Sequence, residues 1–161
     1  MSDRTRTVSW SDPSSFLADP AKSGLDLLLS TLGPPVLRPP VGELLDLVPV
    51  EFAKGRAVFT LVAREFHYSL LNTMHGGVHA FLLDTAMGCA VMTMMAPGQG
   101  YTTTDLQVRY VRPVTVASGT LRGEGTVVHA GSRLVTAEGR ITDGAGRLVA
   151  HGSTACLTFP R

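Results

Sequence analysis

The arrangement of this chain turns on residues 76–95, GGVHAFLLDTAMGCAVMTMM. The stretch is too long for a strand and apolar nearly all round, which is the pattern of a helix buried on every side rather than of an amphipathic surface helix. Its one formal charge is Asp84, and widening the window to Phe66–Thr104 adds no second charge in 39 residues. Removing an unpartnered carboxylate from water costs on the order of several kcal/mol, a large share of a domain stability of about 5–15 kcal/mol. Asp84 is therefore either well paired or functional.

Gly76, Ala80, Asp84 and Gly88 recur every four residues and share one helix face, where small neighbours leave room beside the carboxylate for a substrate or a second backbone. The opposite stripe, Val78, Phe81, Thr85, Cys89 and Met92, is expected to be ordinary core. Gly76 and Gly77 fall where the helix begins. The first N–H groups of a helix lack internal partners and its dipole favours negative charge there, so the position suits a carbonyl oxygen that becomes an oxyanion. Asp84 lies eight residues further on, about 12 Å at 1.5 Å per residue, whereas reacting groups meet within about 3–3.5 Å. One helix cannot bring both to one centre. If both act, a second subunit supplies one of them, which predicts an obligatory homodimer with antiparallel helices and two shared sites.

Strands flank the helix on both sides. Leu44–Phe52, a turn at 53–56 and Ala57–Ala63 read as a hairpin, and Thr102–Val111, Thr120–His129, Leu134–Thr142 and Arg147–Phe159 alternate likewise, with DGAG at 143–146 as a hairpin turn. Gly119, Gly123, Gly125 and Gly139 allow the later strands to bend. The expected class is α+β: an antiparallel curved sheet wrapped around a central helix. Ahead of it, Gly24–Leu32 is a leucine-rich helical stretch and residues 33–40 (GPPVLRPP) a stiff connector, so residues 1–42 form an N-terminal arm and 43–161 the main domain.

Composition narrows the partners. With 161 residues, 14 Lys+Arg against 13 Asp+Glu, 44% hydrophobic and 17% charged residues, the chain is long enough for one core and offers no bulk charge for nucleic acid or an anionic membrane. The apolar stretch is short for a bilayer span, and MSDRTRTVSW has no apolar run behind its arginines, so a cytoplasmic location is expected. Cys89 and Cys156 lack any C-x-x-C spacing and read as buried thiols. His75 and His79 stand four apart, but the metalloprotease form needs Glu after the first His, so no metal site is expected. G-x-S-x-G is absent. His67, His129 and His151 read as structural or solvated, and five of six methionines lie between Met74 and Met95, as adaptable core or as a forgiving apolar pocket.

Taken together, HGGxxxxxxD at His75–Asp84, GYTTTDLQVRYVRP at 100–113 and the closing strands over 119–157 resemble the phenylacetic-acid-degradation (PaaI-like) type of hotdog-fold acyl-CoA thioesterase, over about residues 43–159. The resemblance implies a sheet wrapped around a helix, dimers with antiparallel helices and often dimers of dimers. It implies that Asp84 activates water or attacks the thioester, that Gly76 N–H holds the thioester oxygen beside Gly77, that His75 supports it, and that the Thr103 hydroxyl positions the water. Many relatives carry an Asn six positions before the HGG histidine. Here that position is Ser69, with Asn72 three residues later. Arg109, Arg112 and Arg133 are candidates for the coenzyme A phosphates. The substrate would be an acyl-CoA or acyl-carrier thioester, with no cofactor beyond the coenzyme A it contains. Two other readings stay open: a hotdog enoyl-CoA hydratase or dehydratase, and a non-catalytic acyl-CoA-binding module.

Overall fold

The computed structural model describes residues 3–14, 19–34 and 36–160; residues 1, 2, 15–18 and 35 of the arm, and residue 161, lie outside the described residues. Three α-helices and six strands follow in the order α1 (Gly24–Leu29), α2 (Pro40–Leu45), β1 (Leu47–Ala53), β2 (Arg56–Val62), α3 (Gly76–Met92), β3 (Gln99–Tyr110), β4 (Thr120–Ala130), β5 (Leu134–Thr142) and β6 (Leu148–Pro160) among the described residues. The strands form one sheet in the order β1-β2-β4-β5-β6-β3, antiparallel at every pairing. The sheet packs around α3, as the 76–95 stretch predicts.

Side chains of α3 explain the wrapping. Leu82, Leu83, Ala86, Met87, Ala90 and Val91 are all fully buried, and they sit at the three- and four-residue spacing that makes one continuous helix face. At Gly125 the sheet comes so close that a Cβ would stand 2.4 Å from the Ala86 carbonyl carbon. Glycine in β4 thus serves the helix–sheet approach directly. Gly123 and Gly139 likewise face Leu82 and Met87, whereas Gly119 lies ahead of β4 in a turn with φ +69°. The helix closes at Thr93, whose hydroxyl donates to Ala90 O at 2.6 Å and accepts from Gly55 N at 2.7 Å. It therefore ends three residues before Met95.

Two expectations need correction. Residues 40–45 are helix, not connector and strand. Pro40 takes the first helical position, where its missing N–H costs nothing and its φ is already helical, and Arg38 bridges to Glu43 at 2.7 Å. The boundary at 42/43 thus falls inside α2, and β1 starts at Leu47 rather than Leu44. The stripe expected to be plain core is the second. Val78 is buried, but Phe81, Thr85, Cys89 and Met92 are only half-buried. A helix apolar all round carries no asymmetry from which the packed face can be read. The arm's α1 stops at Leu29, short of Leu32, and is anchored by Gly24 N donating to Met95 O at 3.0 Å. No helix among the described residues is long and apolar enough to cross a membrane.

Candidate active site

Asp84 stands half-buried on the side of α3 that faces β3, an edge strand of the sheet. Its Oδ1 accepts a 3.0 Å hydrogen bond from the Thr103 hydroxyl on β3. Strand parity alone puts Thr103 on the wrong face: Leu106 and Val108 pack toward the core, and Thr103 is an odd number of residues away. A bulge between Thr103 and Asp105, where β3 slips against β6, resets the alternation. One extra residue there turns both Thr103 and Leu106 toward α3. Asp105 serves the same irregularity, its Oδ1 accepting from Ala155 N at 3.1 Å.

At the other end of α3, His75 is the N-cap, and its Nδ1 accepts from Gly77 N at 2.9 Å. Val78 N donates to His75 O. Of the first three N–H groups, that of Gly76 has no partner among the described residues, so Gly76 and not Gly77 keeps a free donor. The Tyr110 hydroxyl donates to Gly76 O at 3.2 Å. Gly76, Ser69, His79, Tyr110 and Arg112 line a cleft of about 400 Å³. Ser69 therefore lies at the helix start. Asn72 points elsewhere: it is exposed, with φ +56°, in the tight loop closed by Ser69 N donating to Thr73 O.

The three arginines are not brought together. Arg112 lines the cleft at Gly76; Arg109 lines a separate cleft with Glu124 and Glu138; Arg133 is exposed in the turn before β5. Glu124 already pairs with Arg56 at 2.7 Å and with Arg122, and Arg140 and His151 line the same cleft as Arg109.

His79 was not singled out for this chemistry by its sequence context. It is 4% exposed; its ring stacks edge-on against Tyr110 at 5.6 Å, and its Nδ1 lies 3.3 Å from His75 O. A carbonyl only accepts, so Nδ1 carries the proton and Nε2 presents a lone pair that finds no partner among the described residues. Burial holds this imidazole below its ordinary pKa range, partly offset by the His75 carbonyl. His67 is structural: its ring bonds Leu45 O and Arg64 N, and burial likewise pushes its pKa down. Burial, with the charge of Asp84 adding to it, pushes the Cys89 thiol up to about 12, which leaves no thiolate at neutral pH. Burial also raises Tyr101, whose hydroxyl packs against Gly88 one turn beyond Asp84. Neither Tyr101 nor Tyr110 carries a local signal of its role, because each contact is made across the fold.

The model of the thioesterase superfamily matches residues 71–150, a span holding His75, Gly76, Asp84 and Thr103. Among solved structures, AziG of S. sahachiroi is 26% identical, covers 81% of this chain and 99% of its own, and superposes with a TM-score of 0.71. A mutant of the phenylacetic acid degradation protein PaaI of Thermus thermophilus is 26% identical over 73% of this chain and 97% of its own, with a TM-score of 0.67. A Streptococcus mutans protein solved with acetyl CoA bound shares the fold at 21% identity, covering 71% of this chain and 90% of its own, with a TM-score of 0.65. The wrapped sheet, the helix with its capped N-terminus and these likenesses agree: the chain belongs to the thioesterase superfamily and has the hotdog fold of its PaaI-like members.

Proposed function

We propose that the protein hydrolyses an acyl-CoA or acyl-carrier thioester, with Asp84 as general base and the Gly76 N–H of a facing subunit as oxyanion donor. The observation that carries this reading is the Asp84 carboxylate, the single formal charge in 39 residues, with one oxygen held by Thr103 at 3.0 Å. A carboxylate so held keeps its second oxygen for a water. Asp84 takes one proton from that water as the water oxygen attacks the thioester carbonyl carbon. The carbonyl electrons move onto oxygen, where the Gly76 N–H and the positive end of α3 stabilise them. The C–S bond then breaks, and the leaving thiolate takes the proton back from Asp84. Free acid and thiol result. His75 contributes by occupying Gly77 N–H and fixing the first turn.

Thiol release from acyl-CoAs tests the proposal, run beside an enoyl-CoA hydration assay. Wild type is expected to release thiol and Asp84→Asn to lose it, by about 10²- to 10⁴-fold, with circular dichroism unchanged. Wild-type turnover in the variant would sink the mechanism, and hydration without thiol release would favour the hydratase reading.

A further inference from the structure

On the side of α3 that carries Thr85 and Cys89, a partly open apolar space separates the helix from the β1–β2 hairpin. A cavity of about 200 Å³ lies between Leu28 and Leu37 of the arm, Phe52 and Phe59 of the β1–β2 hairpin, and Thr85 and Cys89 of α3. Thr85 and Cys89 stand roughly 100° and 140° round the helix from Asp84, so the cavity meets the carboxylate's surroundings through the neighbouring cleft and not directly. A larger cleft of about 760 Å³, lined in part by Thr103 and Tyr101, shares Leu27 and Met92 with it. Two polar groups at the cavity are already engaged: the Thr31 hydroxyl donates to Leu28 O at 2.7 Å, and Arg38 pairs with Glu43 at 2.7 Å. Thr85 is the polar side chain left on its wall among the described residues. Apart from that one hydroxyl the wall is apolar, and burying a charge or an unpaired polar group against it is costly.

We infer that the N-terminal arm roofs the acyl subsite, and that the subsite selects an unsubstituted apolar acyl group of about six to eight carbons. Apolar cavities of about 150 Å³ hold a benzene-sized molecule, and this one is moderately larger. The roof is contributed by Leu27, Leu28, Thr31, Leu37, Arg38 and Pro39, so chain-length preference is a property of the arm rather than of Asp84. The inference rests on the thioester reading for the direction in which the acyl group points.

The test uses S-hexyl-CoA and S-methyl-CoA, thioethers that cannot be hydrolysed, with binding measured by calorimetry on the full chain. Each added methylene buried from water favours binding, so the hexyl compound is expected to bind at least about tenfold tighter to wild type. Two variants act on the cavity from different sides. Cys89→Phe fills it. Gly24→Ala dislodges the roof, since a Cβ at Gly24 would stand 1.9 Å from Met92 O. Both are expected to bring the hexyl-to-methyl ratio toward one, and thiol release from hexanoyl-CoA relative to acetyl-CoA to fall in parallel. Equal binding of the two thioethers to wild type, or a ratio that survives in both variants, overturns the inference. Chain-length preference in binding with no Asp84-dependent thiol release would instead leave the subsite standing and remove hydrolysis.

Discussion

The two sides of α3 are built from similar residues and do opposite things. Toward the sheet, Leu82, Leu83, Ala86, Met87, Ala90 and Val91 are wholly buried, and the backbone comes close enough to β4 that Gly125 admits no side chain. Around the rest of the helix, Gly76, Ala80, Phe81, Asp84, Thr85 and Cys89 are half-open, yet hardly less apolar apart from one carboxylate. On a soluble helix such a half-open apolar side awaits something: a substrate, a second chain, or both. A uniformly apolar helix is thus not uniformly packed, and its single charge sits in the half-open part.

Neighbouring substitutions should separate the two sides sharply. Asp84→Asn is expected to cost about 10²- to 10⁴-fold in thiol release with little change in melting temperature. Leu83→Ala, one residue earlier, should cost about 2–5 kcal/mol of stability, read as a lower denaturant midpoint, while kcat of the folded fraction is retained. If the two variants exchanged phenotypes, the division of the helix would be wrong. Thr103→Val should come next, lowering kcat roughly tenfold by removing one hydrogen bond to a charged oxygen; an unchanged kcat would show that Asp84 does not depend on it.

The smallest effect is a pH dependence set by two buried histidines. His67 and His79 are buried and held neutral, with folded pKa values below the ordinary 6.5. In acid the unfolded chain then binds more protons than the folded one. Stability is full above about pH 6.5 and declines as pH falls below it toward the folded values. A melting temperature lower at pH 5.5 than at pH 7.5 is expected, with the difference reduced in His67→Phe; a flat profile would contradict the burial of both rings.

Much of this arrangement was legible in the chain. The helix announced itself through length and hydrophobicity, β5 through strict alternation, and Asp84 through the absence of any other charge near it. What failed to show were features set by contacts between distant segments. The Thr103 side chain reaches Asp84 because of a bulge, and no periodicity in GYTTTDLQV distinguishes a bulged from a regular strand. Pro39 and Pro40 read as a stop, although a proline also starts helices. Phe81, Thr85 and Cys89 were assigned to the core because a helix without polar residues gives no facing direction. The free donor at Gly76 depends on His75 capping Gly77, a side-chain choice visible only once the turn is built.

The central claim is that Asp84 and Gly76 of one helix, about 12 Å apart, serve different reaction centres and meet only across a subunit pair. Gly76→Pro tests the donor when set beside Gly76→Ala: proline suits the first helical position, and His75 before it is already extended at φ −61° and ψ 138°, while a Cβ at Gly76 stands 3.0 Å from the Tyr110 hydroxyl in both variants, so the difference between them is the lost N–H. Asp84→Asn and Gly76→Pro should each be nearly inactive alone. Co-expressed or unfolded and refolded together, they should regain roughly a quarter of wild-type thiol release, because about half the pairs are mixed and each mixed pair rebuilds one of its two sites. A mixture as inactive as its parents would contradict the shared site.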